Sequence, residues 1–406
     1  MKQIISQHAP KWESDPDGIY SLAQGVVYWR PPPSMYRELA AAANSNLDDT
    51  NDGLSLGFGM DGAMSTDDGR LIHTYCPDEG YPPLLEALKI KLEKENGIVN
   101  PHVMVTSGAN QAFVNCVLTL LDERDEMGNV SKCVVFKPYY FNHVMAIQMS
   151  RGGLNSDASL DDDGMNPNLI EGLLVGPTSK GVPDLTWLRS QLEQHRYPGG
   201  GNAIRMVALV NPGNPTGVSL PFDFLREIKE LTKEFGVWLI MDNTYEHFDI
   251  MRKNSLPNVD NTNNARDYPC FDEEHVINIF SFSKGYSMAG LRVGYISLSS
   301  KSSNGSESKG RGTVAYEEML KVQDTIAICT SRISQMAAVG ALQAGRSWVH
   351  EQVETLNVGR QLILDAMSSM EEIIGGDGAM YVMGKLPDGQ DDKVCKVLKL
   401  ISRLLT

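Results

Sequence analysis

Four residues that can take part in chemistry lie at the ends of apolar stretches that predict β-strands. Gly108 comes soon after HVMVT, Asn214 lies in the turn after RMVALV, Asp242 ends VWLIMD, and Lys284 follows VINIFSFS. In an open α/β sheet the carboxyl ends of the strands border the ligand crevice, so we expect these residues to lie close together. Lys284 offers an amine that can condense with an aldehyde. Asp242 offers a carboxylate that requires a cationic partner, because an unpaired buried charge is costly.

The segment SGANQ, residues 107–111, predicts a site for an anion. It opens a helix after a strand, so the backbone amides of Gly108, Ala109 and Asn110 would point at a bound anion. A plain strand-to-helix turn is the alternative interpretation of this segment alone. Three further residues offer two hydroxyl groups and a guanidinium to a phosphate: Ser281, Ser283 and Arg292. The sequence has no GxxxxGK[ST] motif, which excludes a phosphate cradle of the ATP-binding type.

These groups together match the chemistry of one cofactor. The carboxylate of Asp242 suits a protonated pyridine nitrogen, and the side chains of Tyr245 and Asn214 suit a phenolic oxygen on the ring. The amine of Lys284 suits an aldehyde, and the predicted anion site suits a phosphate. A phosphate, a pyridinium, a phenolate and an aldehyde describe pyridoxal 5′-phosphate.

The elements that position these residues alternate along the chain. Short apolar runs rich in β-branched residues alternate with amphipathic helical runs such as PFDFLREIKELTKEFG, which predicts an α/β fold with a mostly parallel sheet covered on both faces. From about residue 315 the pattern becomes helical, which suggests a second, smaller unit. Three stretches rich in Gly, Ser, Asn and Asp predict surface loops: Asn44–Arg70, Asn155–Asn168 and Ser299–Gly312.

The composition restricts the class of protein. With 36 basic and 51 acidic residues the net charge is −15, which argues against a general nucleic-acid binder. The six cysteines are scattered without a zinc-site spacing, so we expect no metal site and reduced, buried thiols. The amino terminus lacks the pattern of a signal peptide, and no apolar run is long enough to span a membrane. These features predict a cytoplasmic protein.

The sequence resembles the fold-type I, pyridoxal-phosphate-dependent class I/II aminotransferases over roughly residues 18–390. The resemblance rests on seven motifs in the family's order: YCPDEGYPPLLEAL, VTSGANQAF, PYYFNHVMAIQM, VNPGNPTG, MDNTYEHF, SFSKGYSMAGLRVGY and GAMYVMGKLP. LAQGVVYWRPP, PYYFN and NTYEHF are most similar to plant-type aminotransferases that accept tryptophan, other aromatic amino acids or methionine.

The resemblance implies a role for each matching residue. Lys284 matches the Schiff-base lysine and general base, and Asp242 matches the carboxylate on the ring nitrogen. Tyr245 and Asn214 match the partners of the ring oxygen, and Tyr140 matches the aromatic residue that stacks on the ring. Six residues match the phosphate site: Gly108, Ala109, Asn110, Ser281, Ser283 and Arg292.

Two further matches concern the substrate and the assembly. Gly25 and Asn214 match positions on the substrate side. Tyr75 matches a tyrosine that reaches the phosphate of the neighbouring subunit, which implies a homodimer. The Trp29–Arg30–Pro31 corner either borders the substrate pocket or belongs to an N-terminal arm that packs on the other subunit.

The implied activity moves the amino group of an amino acid to a 2-keto acid. The implied fold is a large domain with a seven-stranded sheet and a smaller, incomplete α+β domain. We assign residues 1–70 to an arm, a small-domain segment and an insertion, 71–315 to the large cofactor domain, and 316–406 to the small domain.

The sequence departs from the family pattern after GAMYVMGKLP. The family's arginine that clamps the substrate α-carboxylate has no match, and Arg403 has different surroundings. A different pyridoxal-phosphate reaction, such as an elimination, or a catalytically impaired binding protein are therefore the alternatives. Four histidines have the chemistry of acid–base catalysts, but Lys284 can supply that function, so none is assigned a direct role: His73, His143, His247 and His275.

Overall fold

A seven-stranded sheet forms the centre of the molecule. The computed structural model describes residues 25–48, 72–121, 130–150, 170–198, 201–249, 268, 270–302 and 309–385. The strands of the sheet are β1 His102–Thr106, β2 Lys132–Phe136, β3 Leu173–Gly176, β6 Ile204–Val210, β7 Trp238–Asp242, β8 Val276–Ser281 and β9 Gly294–Leu298. Two short pairs lie outside it: β4 Thr178–Ser179 with β5 Val182–Pro183, and β10 Glu372–Gly375 with β11 Val382–Lys385.

The sheet is mostly parallel, as the sequence predicts. Its order is β1-β9-β8-β7-β6-β2-β3, and β9 alone runs antiparallel to its two neighbours. The carboxyl ends of the other six strands therefore share one edge. Because β9 runs the opposite way, it begins at that same edge, next to the end of β8. Short apolar runs in the sequence indicate six of these strands, among them KCVVF at β2 and RVGYISLS at β9, and miss β3, whose LLVG segment is only four residues long.

Helices cover both faces of the sheet. In chain order they are α1 Pro33–Asp48, α2 Pro82–Lys91, α3 Ala109–Leu120, α4 Phe141–Ser150, α5 Leu185–Gln194, α6 Phe222–Glu234, α7 Arg311–Ala327, α8 Arg332–Leu342, α9 Gly345–Glu354 and α10 Leu356–Ala366. Helices α3, α4 and α7 pack on one face with Val135 of β2, whereas α5 and α6 pack on the other with Val134. Successive residues of a strand point to opposite faces, so the apolar run of β2 serves both cores.

A third core joins the N-terminal segment to the later helices. Helix α1 packs against α8, and the approach is close because Gly340 has no side chain. A Cβ at Gly340 would lie 2.7 Å from the carbonyl oxygen of Ser34. Trp29 and Phe248 stack in the same core, with ring centroids 6.1 Å apart. Residues near the amino terminus are thereby fixed close to the turn that follows β7.

The predicted loops fit the structure only in part. Helix α1 continues to Asp48, so the first residues of the predicted loop Asn44–Arg70 are helical, and residues 49–71 lie outside the described residues. Asn155–Asn168 also lies outside them. Ser299 is buried and α7 begins at Arg311, so the prediction of a surface loop is wrong at both ends of Ser299–Gly312.

The helical region after residue 315 is divided by a break at Ile328, whose φ of 58° lies in the left-handed region. Helix α7 crosses residue 315 without interruption and packs on α3, β1 and β9. The division of the chain at that residue stays a prediction. Among the described helices, none combines the length and the apolar character needed to cross a bilayer.

Candidate active site

The structure brings Asp242, Asn214, Lys284 and the start of α3 to one edge of the sheet. Strands β1, β6, β7 and β8 all end at this edge, and each predicted residue lies at or just after a strand end. The edge is therefore a crevice lined by an amine, a carboxylate, an amide and the amino end of a helix. We call it the strand-end crevice.

Asp242 is almost fully buried, at 3% exposure, and both of its carboxylate oxygens are held. Oδ1 accepts hydrogen bonds from the backbone nitrogen of Thr244 at 3.0 Å and from its hydroxyl at 2.6 Å. Oδ2 lies 3.1 Å from Nε2 of His143. The His143 ring is stacked on Phe113, with centroids 3.8 Å apart. These contacts fix the direction in which the carboxylate faces the crevice.

Lys284 is half-buried, and its environment favours the neutral amine. Burial lowers its pKa below that of an ordinary lysine, and the positive charge of Arg292 lowers it further. Its Nζ donates a hydrogen bond to the carbonyl oxygen of Gly25. A neutral amine keeps its lone pair, so Lys284 is suited to act as a nucleophile and as a base.

Lys284 and Arg292 belong to one tightly bonded connection between β8 and β9, residues 282–293. Within it the nitrogen of Phe282 donates to the oxygen of Val293 at 3.1 Å, and the nitrogen of Met288 donates to the oxygen of Phe282 at 3.2 Å. Arg292 ends the connection in the left-handed region, with φ 54° and ψ 57°. An arginine rarely adopts this conformation, and such strained residues concentrate at functional sites.

The guanidinium of Arg292 lies against the start of helix α3. It donates to the carbonyl oxygens of Ala289 at 2.9 Å and Ser107 at 3.2 Å. Gly108 has a φ of 81°, and a Cβ there would collide with the guanidinium. No side chain caps this helix end within the described residues. The first amides of α3 and the guanidinium therefore face the same space.

The other predicted phosphate-site residues border that space. The Oγ of Ser281 accepts a hydrogen bond from the nitrogen of Ser283 at 3.1 Å. Tyr140 donates from its hydroxyl to Oδ1 of Asn110 at 3.2 Å and accepts from Asn142 at 2.7 Å. Tyr140 also stands edge-on to His143, with ring centroids 5.3 Å apart. Tyr140 thus lies between the start of α3, where we expect the phosphate, and His143, which contacts the carboxylate of Asp242.

Tyr381 is a residue of the crevice that the sequence analysis did not assign. Its Oη lies 2.5 Å from Oη of Tyr245 and accepts a hydrogen bond from Nδ2 of Asn214 at 3.4 Å. Burial raises the pKa of Tyr245 well above its usual value, and contact with Tyr381 raises it further. Both phenols therefore stay neutral donors. The motif GAMYVMGKLP contains Tyr381, but a motif match alone does not indicate which of its side chains enters the crevice.

The N-terminal segment closes the crevice from the other side. A Cβ at Gly25 would overlap the hydroxyl of Tyr381 and lie 3.7 Å from Nζ of Lys284. Nε1 of Trp29 donates to the oxygen of Gly285 at 3.2 Å, and Ser287 donates from its hydroxyl to the oxygen of Trp29 at 2.6 Å. Trp29 is therefore buried against the Lys284 turn of its own chain.

Tyr75 is the predicted site residue that the structure leaves outside the crevice. Its side chain is 73% exposed. The neighbouring Cys76 donates from its backbone nitrogen to Sγ of Cys329 at 3.4 Å, and Thr74 contacts Arg332. Tyr75 thus belongs to a surface near the start of α8.

Comparison with known proteins decides the family. A sequence model described as aminotransferase class I and II matches residues 42–404. The aromatic aminotransferase ISS1 of Arabidopsis thaliana is 35% identical over 376 residues, which cover 92% of this chain and 76% of that protein. The chain belongs to the class I and II aminotransferases. An aspartate aminotransferase of Thermotoga maritima is 27% identical, over 80% of this chain and 72% of its own length.

Solved structures of other aminotransferases share the fold. An aromatic aminotransferase from Pyrococcus horikoshii superposes with a TM-score of 0.65 and 21% identity, over 93% of this chain and 82% of its own. An aspartate aminotransferase from Thermus thermophilus with maleate gives 0.66 at 20% identity, over 93% and 80%. The predicted fold type is confirmed. As a class I/II aminotransferase, the protein is a pyridoxal-phosphate-dependent transaminase with amino acid and keto acid substrates.

The crevice residues fit pyridoxal phosphate. Because Gly108 has no side chain, the guanidinium of Arg292 can lie directly beside the start of α3, where the charge and the helix amides together suit a phosphate. Asp242 presents a buried carboxylate, which suits a cationic ring nitrogen. The side chains of Tyr245 and Asn214 meet around one oxygen, and Lys284 supplies an amine whose pKa is lowered by burial and by Arg292.

The histidines have different places in the structure. His143 is the one that contacts a predicted site residue, and its position three residues after Tyr140 on the first turn of α4 was the available signal. His73 is exposed, and Nε2 of His275 lies 3.1 Å from the oxygen of Lys229, away from the crevice. His247 is buried beside Glu246, and burial lowers its pKa to about 3. It is therefore neutral at physiological pH.

Proposed function

We propose that the enzyme transfers the amino group of an aromatic amino acid or of methionine to a 2-keto acid, with Lys284 as its covalent and acid–base residue. The observation that carries the proposal is the position of the half-buried Lys284 amine, whose pKa is lowered by burial and by Arg292, in the same crevice as the buried carboxylate of Asp242. The preference for aromatic substrates is supported by the similarity to the aromatic aminotransferase of Arabidopsis thaliana.

Bound pyridoxal phosphate supplies an electron sink that withdraws charge from the substrate α-carbon. Asp242 holds the proton on the ring nitrogen, and His143 and Thr244 keep the carboxylate oriented toward it. With the cofactor bound, Nζ of Lys284 would serve as the base for the substrate α-proton, a role that its lowered pKa favours. Tyr245 and Asn214 hold the ring oxygen.

The phosphate is held by the start of helix α3 together with Arg292, Ser281 and Ser283. Arg292 lies beside the helix end and supplies the charge that the amides lack. Tyr140 borders this site through its bond to Asn110, and we assign it the face of the ring. We assign Gly25 and Asn214 to the substrate side from their match to the family, and Gly25 lies beside the reactive amine because its carbonyl oxygen accepts from Nζ of Lys284.

The assembly we propose is a homodimer. Three apolar residues on two neighbouring segments are exposed: Tyr75, Ile328 and Ile333. The segment around Tyr75 meets the segment that contains the two isoleucines, because Cys76 contacts Cys329 and Thr74 contacts Arg332. Such a patch suits burial against a second copy of the chain. Tyr75 would then reach the phosphate site of the other subunit. Light scattering at micromolar concentration should give twice the mass of the chain, and the exchange of Tyr75 for Glu should halve that value.

We also propose the cytoplasm as the compartment and a division into a large cofactor domain and a smaller unit. None of the described cysteines forms a disulfide, and each is buried or half-buried, which suits a reducing compartment. The uninterrupted packing of α7 on the sheet favours a boundary near the break at Ile328. Limited proteolysis should cut near residues 328–331 before it cuts within α7.

A half-reaction tests the proposed function. The purified protein with pyridoxal phosphate should show the cofactor's visible band, and borohydride should fix the cofactor on the peptide that contains Lys284. Tryptophan, phenylalanine or methionine should then convert the band and release the matching keto acid without ammonia. An unlabelled Lys284 would contradict the assignment of the covalent residue, and ammonia release without an acceptor would favour an elimination.

A further inference from the structure

The hydroxyl of Tyr381 lies where two side-chain donors meet. Tyr245 places its Oη 2.5 Å from Oη of Tyr381, and Asn214 donates to the same oxygen at 3.4 Å. The donors lie after different strands of the large sheet, whereas Tyr381 directly precedes β11. Either hydroxyl of the tyrosine pair can donate, so an oxygen acceptor placed at this position would accept from both Tyr245 and Asn214.

The position is in the crevice rather than in the core of the β10–β11 hairpin. A Cβ at Gly25 would overlap the Tyr381 hydroxyl and would lie 3.7 Å from Nζ of Lys284. The side chain of Tyr381 is half-buried, and its ring stands edge-on to that of Tyr245, with centroids 5.6 Å apart. The hydroxyl therefore lies in the space around the reactive amine.

The main chain of Tyr381 is fixed by close packing of backbone against backbone at three glycines. We call Gly217, Gly375 and Gly378 the glycine seam. A Cβ at Gly217 would overlap the carbonyl oxygen of Tyr381, and one at Gly375 would overlap that of Thr216. The nitrogen of Gly378 donates to the oxygen of Gly217 at 2.9 Å. With the backbone held in this way, the part of Tyr381 that can move is its ring.

We propose that in the cofactor-free protein the Tyr381 hydroxyl occupies the place of the cofactor's phenolic oxygen and competes with it for Tyr245 and Asn214. The inference rests on the proposed function, which assigns those two side chains to the ring oxygen. Binding of the cofactor then requires the Tyr381 ring to rotate away and to give up its two hydrogen bonds. Tyr381 acts as a positioning residue that holds both donors in place until the cofactor arrives.

Measurement of cofactor affinity tests the competition. Tyr381→Phe removes the competing oxygen and keeps the ring, so cofactor-free protein should bind pyridoxal phosphate about three- to tenfold more tightly, the range for one net hydrogen bond. The Kd is measured by fluorescence titration, with stopped-flow mixing for the association rate, which should rise. Tyr316→Phe is the matched control. It removes the hydroxyl that donates to the oxygen of Val103 at 3.2 Å, and the Kd should stay unchanged.

A double variant ties the effect to the named donor. In a Tyr245→Phe background the exchange of Tyr381 for Phe should change the Kd less than twofold, because the shorter of the two contacts has already been removed. An unchanged or weaker affinity of Tyr381→Phe would overturn the competition, as would an equal gain in both backgrounds. If the unchanged protein fails to bind pyridoxal phosphate at all, the proposed function fails instead.

Discussion

The crevice has two walls that are built by different means. The strand-end wall carries Asp242, Lys284 and Arg292, which lie next to strands β7, β8 and β9 of one sheet. The closing wall carries Gly25 and Tyr381, which come from segments more than 350 residues apart in the chain and meet over the crevice. The groups with charge belong to the first wall, and the groups that shape the space belong to the second.

The two walls also differ in how firmly their groups are held. Asp242 is buried, and both of its oxygens have fixed partners on the protein. The Tyr381 hydroxyl is held by two side chains that a bound molecule can also use. One site can therefore combine reactive groups whose protein contacts stay fixed with a second wall whose hydrogen bonds pass to the molecule that binds.

The largest expected effect is on the strand-end wall at Lys284. Lys284→Ala should lower the rate of the half-reaction at least about 10³-fold, because both the covalent attachment and the base are lost. Single-turnover absorbance measures it. Lys321→Ala, an exposed lysine on α7, is the control and should keep the full rate. A residual rate within tenfold of the unchanged protein would remove Lys284 from the mechanism.

The second test concerns the carboxylate. Asp242→Asn should lower kcat about 10²–10³-fold, because an amide cannot hold a proton on the ring nitrogen by charge. His143→Phe keeps the ring stack on Phe113 and loses only the contact to Oδ2, so its loss should be smaller. The control is Asp184→Asn at the start of α5, which keeps a capping oxygen. Equal losses for the Asp242 and His143 variants would show that orientation, rather than charge, is what matters.

The closing wall is tested at the glycine seam. Gly217→Ala forces a side chain into left-handed backbone and into the carbonyl of Tyr381, so it should lower the free energy of unfolding by about 3 kcal/mol. Gly236→Ala is a matched control, with a φ of 65° against 69° and nothing within 4 Å of the added Cβ. Its cost should be about 1 kcal/mol. Denaturant titration measures the free energy of unfolding of both variants. An equal loss in the two variants would mean that the backbone at the glycine seam moves aside for a side chain at little cost.

The smallest expected effect is a shift in the pH dependence of the rate at which Lys284 captures the cofactor. Arg292 contributes to the low pKa of Lys284, and only the unprotonated amine can attack an aldehyde. The rate of cofactor capture should therefore rise with pH, with a midpoint below that of an ordinary lysine. Arg292→Leu removes the positive charge and should move the midpoint to higher pH, whereas Arg292→Lys should leave it nearly in place. Rates will fall in both variants because the phosphate loses donors, so the midpoint is the informative quantity.

The strand-end wall was accessible from the sequence because its signals are local. Asp242 and Lys284 follow apolar runs within a few residues, and parallel strands necessarily bring their ends to one edge. The exception is the pair of His143 and Asp242, which are 99 residues apart and meet because α4 packs beside the sheet. Periodicity places His143 on a helix but does not indicate what it faces.

The closing wall was not accessible in the same way. Tyr381 meets Tyr245 across 136 residues of sequence, and Trp29 meets Gly285 across 256. Their positions depend on close backbone packing at the glycine seam and in the third core, and no short pattern of residue types reports such packing. The family's substrate-carboxylate arginine, which has no match in this sequence, belongs to the segment that follows β11. Residues 386–406 of that segment lie outside the described residues.

The antiparallel direction of β9 has a consequence for motion. Because the chain turns back after β8, the amine of Lys284 and the guanidinium of Arg292 are attached to one short, internally bonded connection. The hydrogen bonds within this connection help to set the distance between their main-chain positions. A motion of the whole connection would therefore carry the amine and the guanidinium together.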